Sequence, residues 1–272
     1  MNIPKIKLNN GNTIPALGMG LWQIKDPEIF NAAVNAALEN GYRHFDSAQV
    51  YDNEQLLGQA WKTSGLKRDE LFLTTKIWLK NFGYNHVKKS FDKSLQNMQT
   101  DYVDLLLLHF PVTALRRKAW KALEEIQAEG KAKNIGVSNY TVRHLEEMKK
   151  YAKITPQVNQ VEMHVFLQQP ELVEYCRQND IVLEAYSPLA HGKVMDDSTI
   201  LKIAKKHNKT YAQIMLRWAI EQGFVVIPKS VSPARVKENL NIFDFAFDEQ
   251  DKADIKQLDR NLRTCWSPVH VP

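Results

Sequence analysis

Along this chain, short unbroken apolar runs alternate with longer stretches in which apolar residues recur every three or four positions. RHFD (43–46), LFLTTK (71–76), VDLLLLH (103–109), AKNIGVS (132–138), PQVNQVE (156–162), IVLEAYS (181–187) and GFVVIPKS (223–230) read as strands, with ALGMG (16–20) as the first of eight. LLLL and VVI are apolar on consecutive positions, as expected of parallel strands buried on both faces. Asp26-Pro27 marks the start of the first helix, whose apolar face runs Ile29, Phe30, Ala33, Val34, Ala37 and Leu38 and stops at Gly41. Further helices are predicted near 53–63, 85–98, 116–129, 141–150, 170–178, 198–207, 210–221, 233–240 and 248–260. Ahead of all this, KIKLNNGNTIP (5–15) has the hairpin signal Asn10-Gly11.

Strand–helix alternation from end to end, with no linker and no fixed repeat, predicts one α/β domain over 1–272. Gly18-Met19-Gly20-Leu21-Trp22 lacks the third glycine of a dinucleotide fingerprint, which disfavours an open doubly wound sheet. The expected architecture is a (β/α)8 TIM barrel with an N-terminal β-hairpin plug over its floor and extra C-terminal helices.

Composition narrows the function class. The 272 residues are 44% hydrophobic and 25% charged, an ordinary globular balance. The formal charge is +5, but the densest basic clusters, Arg116-Arg117-Lys118 and 202–206, fall on predicted helices and read as solvated faces. No nucleic-acid motif accompanies them, so no nucleic-acid partner is expected, although the mild positive field suits an anionic ligand. Two cysteines are too few for a disulfide framework and suit a reducing compartment. Neither a signal core nor a membrane-length apolar run is present, so the expectation is a cytoplasmic protein without a membrane partner.

Candidate chemistry collects where strands end. Asp46, Lys76 and His109 close three successive predicted strands, and Tyr51 follows the first of them in DSAQVYDNE (46–54). In a barrel these positions converge on the C-terminal mouth. Asp46 is the natural counter-charge for a buried Lys76. Lys76 beside Tyr51 is expected to lower the phenol's pKa toward working pH and make it a general acid. His109 is placed to hydrogen-bond a substrate oxygen. A phenol, an ammonium and an imidazole around one oxygen suit carbonyl protonation during reduction; the hydride has to come from a nicotinamide cofactor.

Seven segments extend the picture: GYRHFDSAQVYDNE (41–54), TTKIW (74–78), LLLLHFP (105–111), NIGVSNY (134–140), QVNQVEMH (157–164), EAYSPLA (184–190) and IPKSVSPARVKEN (227–239). In this order and spacing the chain resembles the aldo-keto reductases from first strand to tail. Its compactness is similar to the bacterial and protist type, the 2,5-diketogluconate reductases and prostaglandin F synthase-like reductases. The resemblance implies an NADPH-dependent reductase of aldehydes and ketones, needing no metal. Tyr51 is implied as proton donor, Lys76 and Asp46 as its tuning pair, and His109 as the group that orients the carbonyl. It further implies Ser138, Asn139 and Gln160 at the nicotinamide carboxamide, Tyr186 stacked on the ring, and Ser187 and Leu189 along the pyrophosphate.

Lys229, Ser230 and Arg235 combine two cations and a hydroxyl before a predicted helix, which is apt for phosphate. The resemblance assigns them to the 2′-phosphate, with Arg235, Glu238 and Asn239 around the adenine. Trp22, Trp78 and Phe110, with His109, are expected to wall a pocket for a small-molecule carbonyl. Phe110 stands where family members often have tryptophan, and the loops and the tail after Leu262 are short, which implies an open, permissive pocket and a monomer. Two other readings remain: a non-catalytic NADPH-binding or redox-sensing barrel, and a Schiff-base aldolase using Lys76.

Overall fold

The computed structural model describes residues 3–112 and 114–272. The hairpin forms first: β1 (Lys5–Lys7) pairs antiparallel with β2 (Thr13–Pro15), and Gly11 turns between them at φ +89°. The barrel strands follow as β3 (Met19–Gly20), β4 (His44–Asp46), β5 (Phe72–Ile77), β6 (Val103–Leu108), β7 (Ala132–Ser138), β8 (Val158–Glu162), β9 (Val182–Tyr186) and β10 (Val225–Val226). They lie side by side in chain order, every pair parallel. The sheet closes on itself just before β3, where Leu17 bridges Val226 in parallel. Val226 N donates to Ala16 O and Gly18 N to Val226 O, each at 2.9 Å.

The helices fall where the apolar periodicity put them. They are α1 (Pro27–Glu39), α2 (Glu54–Thr63), α3 (Tyr84–Asn97), α4 (Arg116–Ala128), α5 (Val142–Met148), α6 (Pro170–Gln178), α7 (Ser198–His207), α8 (Tyr211–Glu221), α9 (Pro233–Glu238) and α10 (Glu249–Lys256). Asp26 caps α1 by accepting from Glu28 N and Ile29 N, with Pro27 at the first helical position. Phe30, Ala33, Val34 and Ala37 then bury against the sheet, and Gly41 turns out of the helix at φ +91°. Helices α5, α9 and α10 end earlier than predicted, because periodicity marks a face better than an end.

The hairpin does plug the floor. Leu8 and Ile14 pack with Phe72, Leu105, Leu107, Val158 and Val225, the inward-facing strand residues at that end. Asn10 and Asn12 both donate to Asn134 Oδ1, at 2.8 and 3.0 Å. Among the described residues no helix is long and apolar enough to cross a membrane.

Gly18 and Gly20 serve the barrel seam. A Cβ on Gly20 would stand 2.8 Å from Ile227 O, and one on Gly18 2.6 Å from the His44 ring. Gly20 permits close backbone approach to the chain just after β10, and Gly18 leaves room for the His44 ring of β4.

Candidate active site

Asp46 ends β4, Lys76 lies one residue from the end of β5, and His109 directly follows β6. Parallel register therefore carries all three to one rim. Lys76 is completely buried and Asp46 nearly so. The ammonium has three protons and three acceptors: Asp46 Oδ1 at 2.5 Å, Ser47 O at 2.9 Å and Tyr51 Oη at 3.2 Å. Because the Tyr51 oxygen accepts from Lys76, its own proton is left to point elsewhere.

Tyr51 ends a short 3₁₀ turn, Gln49–Tyr51, and Asp52 reverses the chain at φ +56°. Buried Asn53 fastens this turn. Its Nδ2 donates to Leu21 O (2.8 Å) and Ile24 O (3.0 Å), and its Oδ1 accepts from Ser47 Oγ (2.7 Å). Gln49 Oε1 accepts from Trp78 N (2.9 Å) and Asn81 Nδ2 (2.8 Å) and so sets the loop that carries Trp78. The His109 ring meets Tyr51 and Trp78 edge-on, with centroids at 5.7 and 5.2 Å.

Electrostatics corrects one expectation. The Tyr51 pKa is raised, not lowered: burial comes first, Lys76 pulls it down, and the Asp46 charge opposes that pull. The phenol is thus a proton holder at neutral pH. Burial by itself would lower the Lys76 ammonium, but Asp46 and Tyr51 together raise it. His109 is pushed well below 6.5 by burial and then by Lys76, so its imidazole is neutral.

The expected cofactor residues line the same rim. Ser138 ends β7 and is paired in register with Gln160, which lies mid-strand on β8. Asn139 adopts φ +66°; its Nδ2 donates to His109 O and Ser138 Oγ, each at 3.1 Å. Tyr186 Oη donates to Asn139 Oδ1 at 2.7 Å. Ser187 (φ +47°) and Leu189 follow in the loop after β9. Gln160 Nε2 donates to both Asp46 Oδ2 (2.8 Å) and Glu184 Oε2 (2.7 Å).

Beyond β10, Lys229 lies beside Gly20, and both Lys229 and Arg235 are exposed. Ser230 Oγ turns back on Ser232, accepting from its N and donating to its O. Glu238 Oε1 accepts from Thr210 Oγ1 at 2.6 Å, which ties α9 to the start of α8 instead of leaving that oxygen free.

This donor set fits a dinucleotide phosphate. Among the described residues, Lys229 and Arg235 have no ion-pair partner, and the side-chain amide of buried Asn239 and Gln160 Oε1 have no hydrogen bond. Two unpaired cations and two idle amide groups around one rim are what a polyanion with a carboxamide end requires.

Residues 16–260 match the model of the aldo/keto reductase family. The chain belongs to the aldo/keto reductase family. It is 43% identical over 263 residues to glyoxal reductase of Bacillus subtilis, covering 97% of this chain and 95% of that one. It is 42% identical over 262 residues to methylglyoxal reductase DkgA of Escherichia coli O157:H7, covering 95% and 94%. A solved aldo-keto reductase of Bombyx mori in complex with NADP superposes with a TM-score of 0.91 at 32% identity, covering 97% of this chain and 95% of that one.

Several working parts of this aldo/keto reductase escape sequence reasoning. Glu162, at the end of β8, is fully buried and accepts from Thr264 N and Oγ1 (2.6 Å each) and Cys265 N (3.2 Å). It clamps the C-terminal tail. Cys265 Sγ then lies 3.1 Å from His191 Nε2, and the His191 ring stands edge-on to Trp22. Further on, Val271 O accepts from Arg143 and from His144 Nε2, and Pro272 O from Arg116 Nη1. The short tail is therefore strapped at both ends. VEMH (161–164) contained the clue, an acid at a strand end, but its partner lies 102 residues later.

Proposed function

We propose that this aldo/keto reductase reduces small aldehydes and ketones to alcohols with NADPH, and that Tyr51 donates the proton. The observation that carries it is the saturated Lys76 ammonium. Held by Asp46, Ser47 O and Tyr51 Oη, it leaves the phenol O–H as the one mobile proton of the cluster.

When bound, NADPH supplies the hydride. The chain does the rest. Lys229, Ser230 and Arg235 hold the 2′-phosphate, Arg235, Glu238 and Asn239 border the adenine, and Ser187 and Leu189 follow the pyrophosphate. Ser138, Asn139 and Gln160 hold the carboxamide, where Gln160 Oε1 accepts because its N–H groups are already given away. Tyr186, fixed through Asn139, would be the aromatic face offered to the nicotinamide. Neutral His109 donates an N–H to the carbonyl oxygen and aims it at Tyr51. The Tyr51 proton passes to that oxygen as it gains charge, and Lys76 stabilises the phenolate left behind.

Trp22, Trp78 and Phe110 wall the substrate side, and apolar walls with polar groups only at the reacting end suit small carbonyls such as 2-oxoaldehydes. A Schiff base at Lys76 would need a neutral amine, and the Asp46 contact opposes that. The test is absorbance at 340 nm with NADPH and glyoxal or methylglyoxal. Turnover by the wild type and its loss in Tyr51→Phe support the reading; full turnover in the variant sinks it.

A further inference from the structure

Glu184 has no part in the reaction described above, yet it is completely buried in the barrel interior beside the residues that do. It sits in mid-strand on β9, in register with Gln160 on β8. Its Oε2 takes one N–H of the Gln160 amide at 2.7 Å, while Asp46 Oδ2 takes the other at 2.8 Å. One amide thus bridges two carboxyl groups in a dry interior. The charge on Asp46 repels the amide oxygen, and Glu184 Oε2 takes the second N–H, so the amide has one favoured orientation, and Oε1 is the atom left for a ligand.

The titratable or charged groups around Glu184 are His44 and Asp46 on β4 and Lys76 on β5. Asp46 has Lys76 as a counter-ion at 2.5 Å; among the described residues Glu184 has no such cation. His44 Nε2 stands 3.4 Å from Glu184 Oε1, but burial depresses the His44 pKa to about 3, so that imidazole is neutral. Two carboxylates sharing one amide cannot both ionise cheaply, and the one without a cation keeps the proton. Oε2 is occupied by Gln160, so the proton resides on Oε1, the oxygen without a hydrogen-bond partner among the described residues. Burial first, and then the Asp46 charge, push the Glu184 carboxyl up to about 8, against Gln160 and Lys76.

We propose that Glu184 is a positioning residue for the Gln160 amide, and that its being uncharged biases the site toward the reduced, neutral nicotinamide over the oxidised, cationic one. This rests on the reading of Gln160 as a carboxamide contact. Ionisation of Glu184 would release its proton to solvent and add a negative charge one amide away from the nicotinamide. A cationic ring gains from that charge and a neutral ring does not.

The test is binding of NADPH and of NADP⁺, each without carbonyl substrate, measured by protein fluorescence from pH 6.5 to about 9.5. The ratio of the two affinities removes the ionisation of the phosphates, which both forms share. In the wild type the preference for NADPH over NADP⁺ should fall by about tenfold as pH rises through about 8. Glu184→Gln, which keeps the acceptor and cannot ionise, should have a flat ratio. Glu184→Leu, which strands one Gln160 N–H, should bind both forms about tenfold more weakly. A 13C carboxyl titration of the cofactor-free protein should place Glu184 near 8, with the signal missing in Glu184→Gln.

A flat wild-type ratio, a wild-type pH response in Glu184→Gln, unaltered affinities in Glu184→Leu, or a Glu184 titration in the ordinary carboxyl range would each overturn the proposal. Should Glu184→Leu fail to fold, the wild type and Glu184→Gln still decide it. If the wild type binds neither form, the cofactor reading of Gln160 falls and takes this inference with it. Binding that is indifferent to Glu184 removes this inference alone.

Discussion

Lys76 Nζ stands 2.5 Å from Asp46 Oδ1 in a part of the barrel that solvent barely reaches. The two come from adjacent strands, and neither is tolerable there alone. An unpaired ion in such a place costs several kcal/mol, so the pair is a structural necessity before it is a catalytic asset.

Asp46→Asn should therefore destabilise the fold as well as stop turnover. The stranded ammonium is expected to cost about 3–5 kcal/mol. The double variant Asp46→Asn/Lys76→Met should regain much of that stability and none of the activity. Urea unfolding of the three proteins checks this; equal midpoints for wild type and single variant would show that the pair does not bear on stability.

Tyr51→Phe removes the mobile proton and little else, since Lys76 keeps two of its three acceptors. Turnover should fall by about 10²–10⁴-fold. NADPH affinity, read by fluorescence, should stay close to wild type. A parallel loss of both would mean that the phenol holds the site together and does not merely act in it.

Lys229→Ala and Arg235→Ala test the phosphate cradle. Each removes a cation that has no ion-pair partner among the described residues, so stability should hardly change. NADPH should bind about tenfold or more weakly, with NADH nearly unaffected. Equal losses for both cofactors would move these residues away from the 2′-phosphate.

Glu162 predicts an acid-sensitive tail. Burial pushes its carboxyl up, but the nearby His164 ring (Nε2 at 3.5 Å) and hydrogen bonds from Thr264 and Cys265 win, and its pKa falls from 4.5 to about 2. A group held below its unfolded pKa contributes stability that is present above 4.5 and is lost as pH falls toward about 2. The Tm gap between wild type and Glu162→Gln should thus be full near pH 7 and close on acidification through that window. Protease should also nick the variant's tail first. A gap that stays constant with pH would show that the carboxylate charge is not what holds the strap.

Much of this was readable from residue order alone. The eight strands and the plug follow from hydrophobic spacing and from Asn10-Gly11, because a parallel strand buried on both faces has no other way to look. The tetrad was visible because Asp46, Lys76 and His109 interrupt apolar runs at strand ends. The direction of the Tyr51 shift was not. Lys76 beside a phenol argues for a lower pKa until the depth of burial and the position of Asp46 are known, and both depend on how far the mouth is closed. Glu184 gives no such signal, since an acid inside a strand announces nothing until its partners are seen, and the strand-end Glu162 names no partner until Thr264 is brought to it.

Residue order determined the strand–helix alternation, the hairpin and the side chains placed at strand ends, because hydrophobic periodicity depends only on neighbours along the chain. Tertiary structure alone decided the charges and the constraints: which carboxyl pairs with Lys76, which stays protonated, which clamps the tail at Thr264, and where the Gln160 amide points. Those outcomes depend on desolvation and on distances of a few ångströms between residues up to 114 positions apart, which local pattern does not encode.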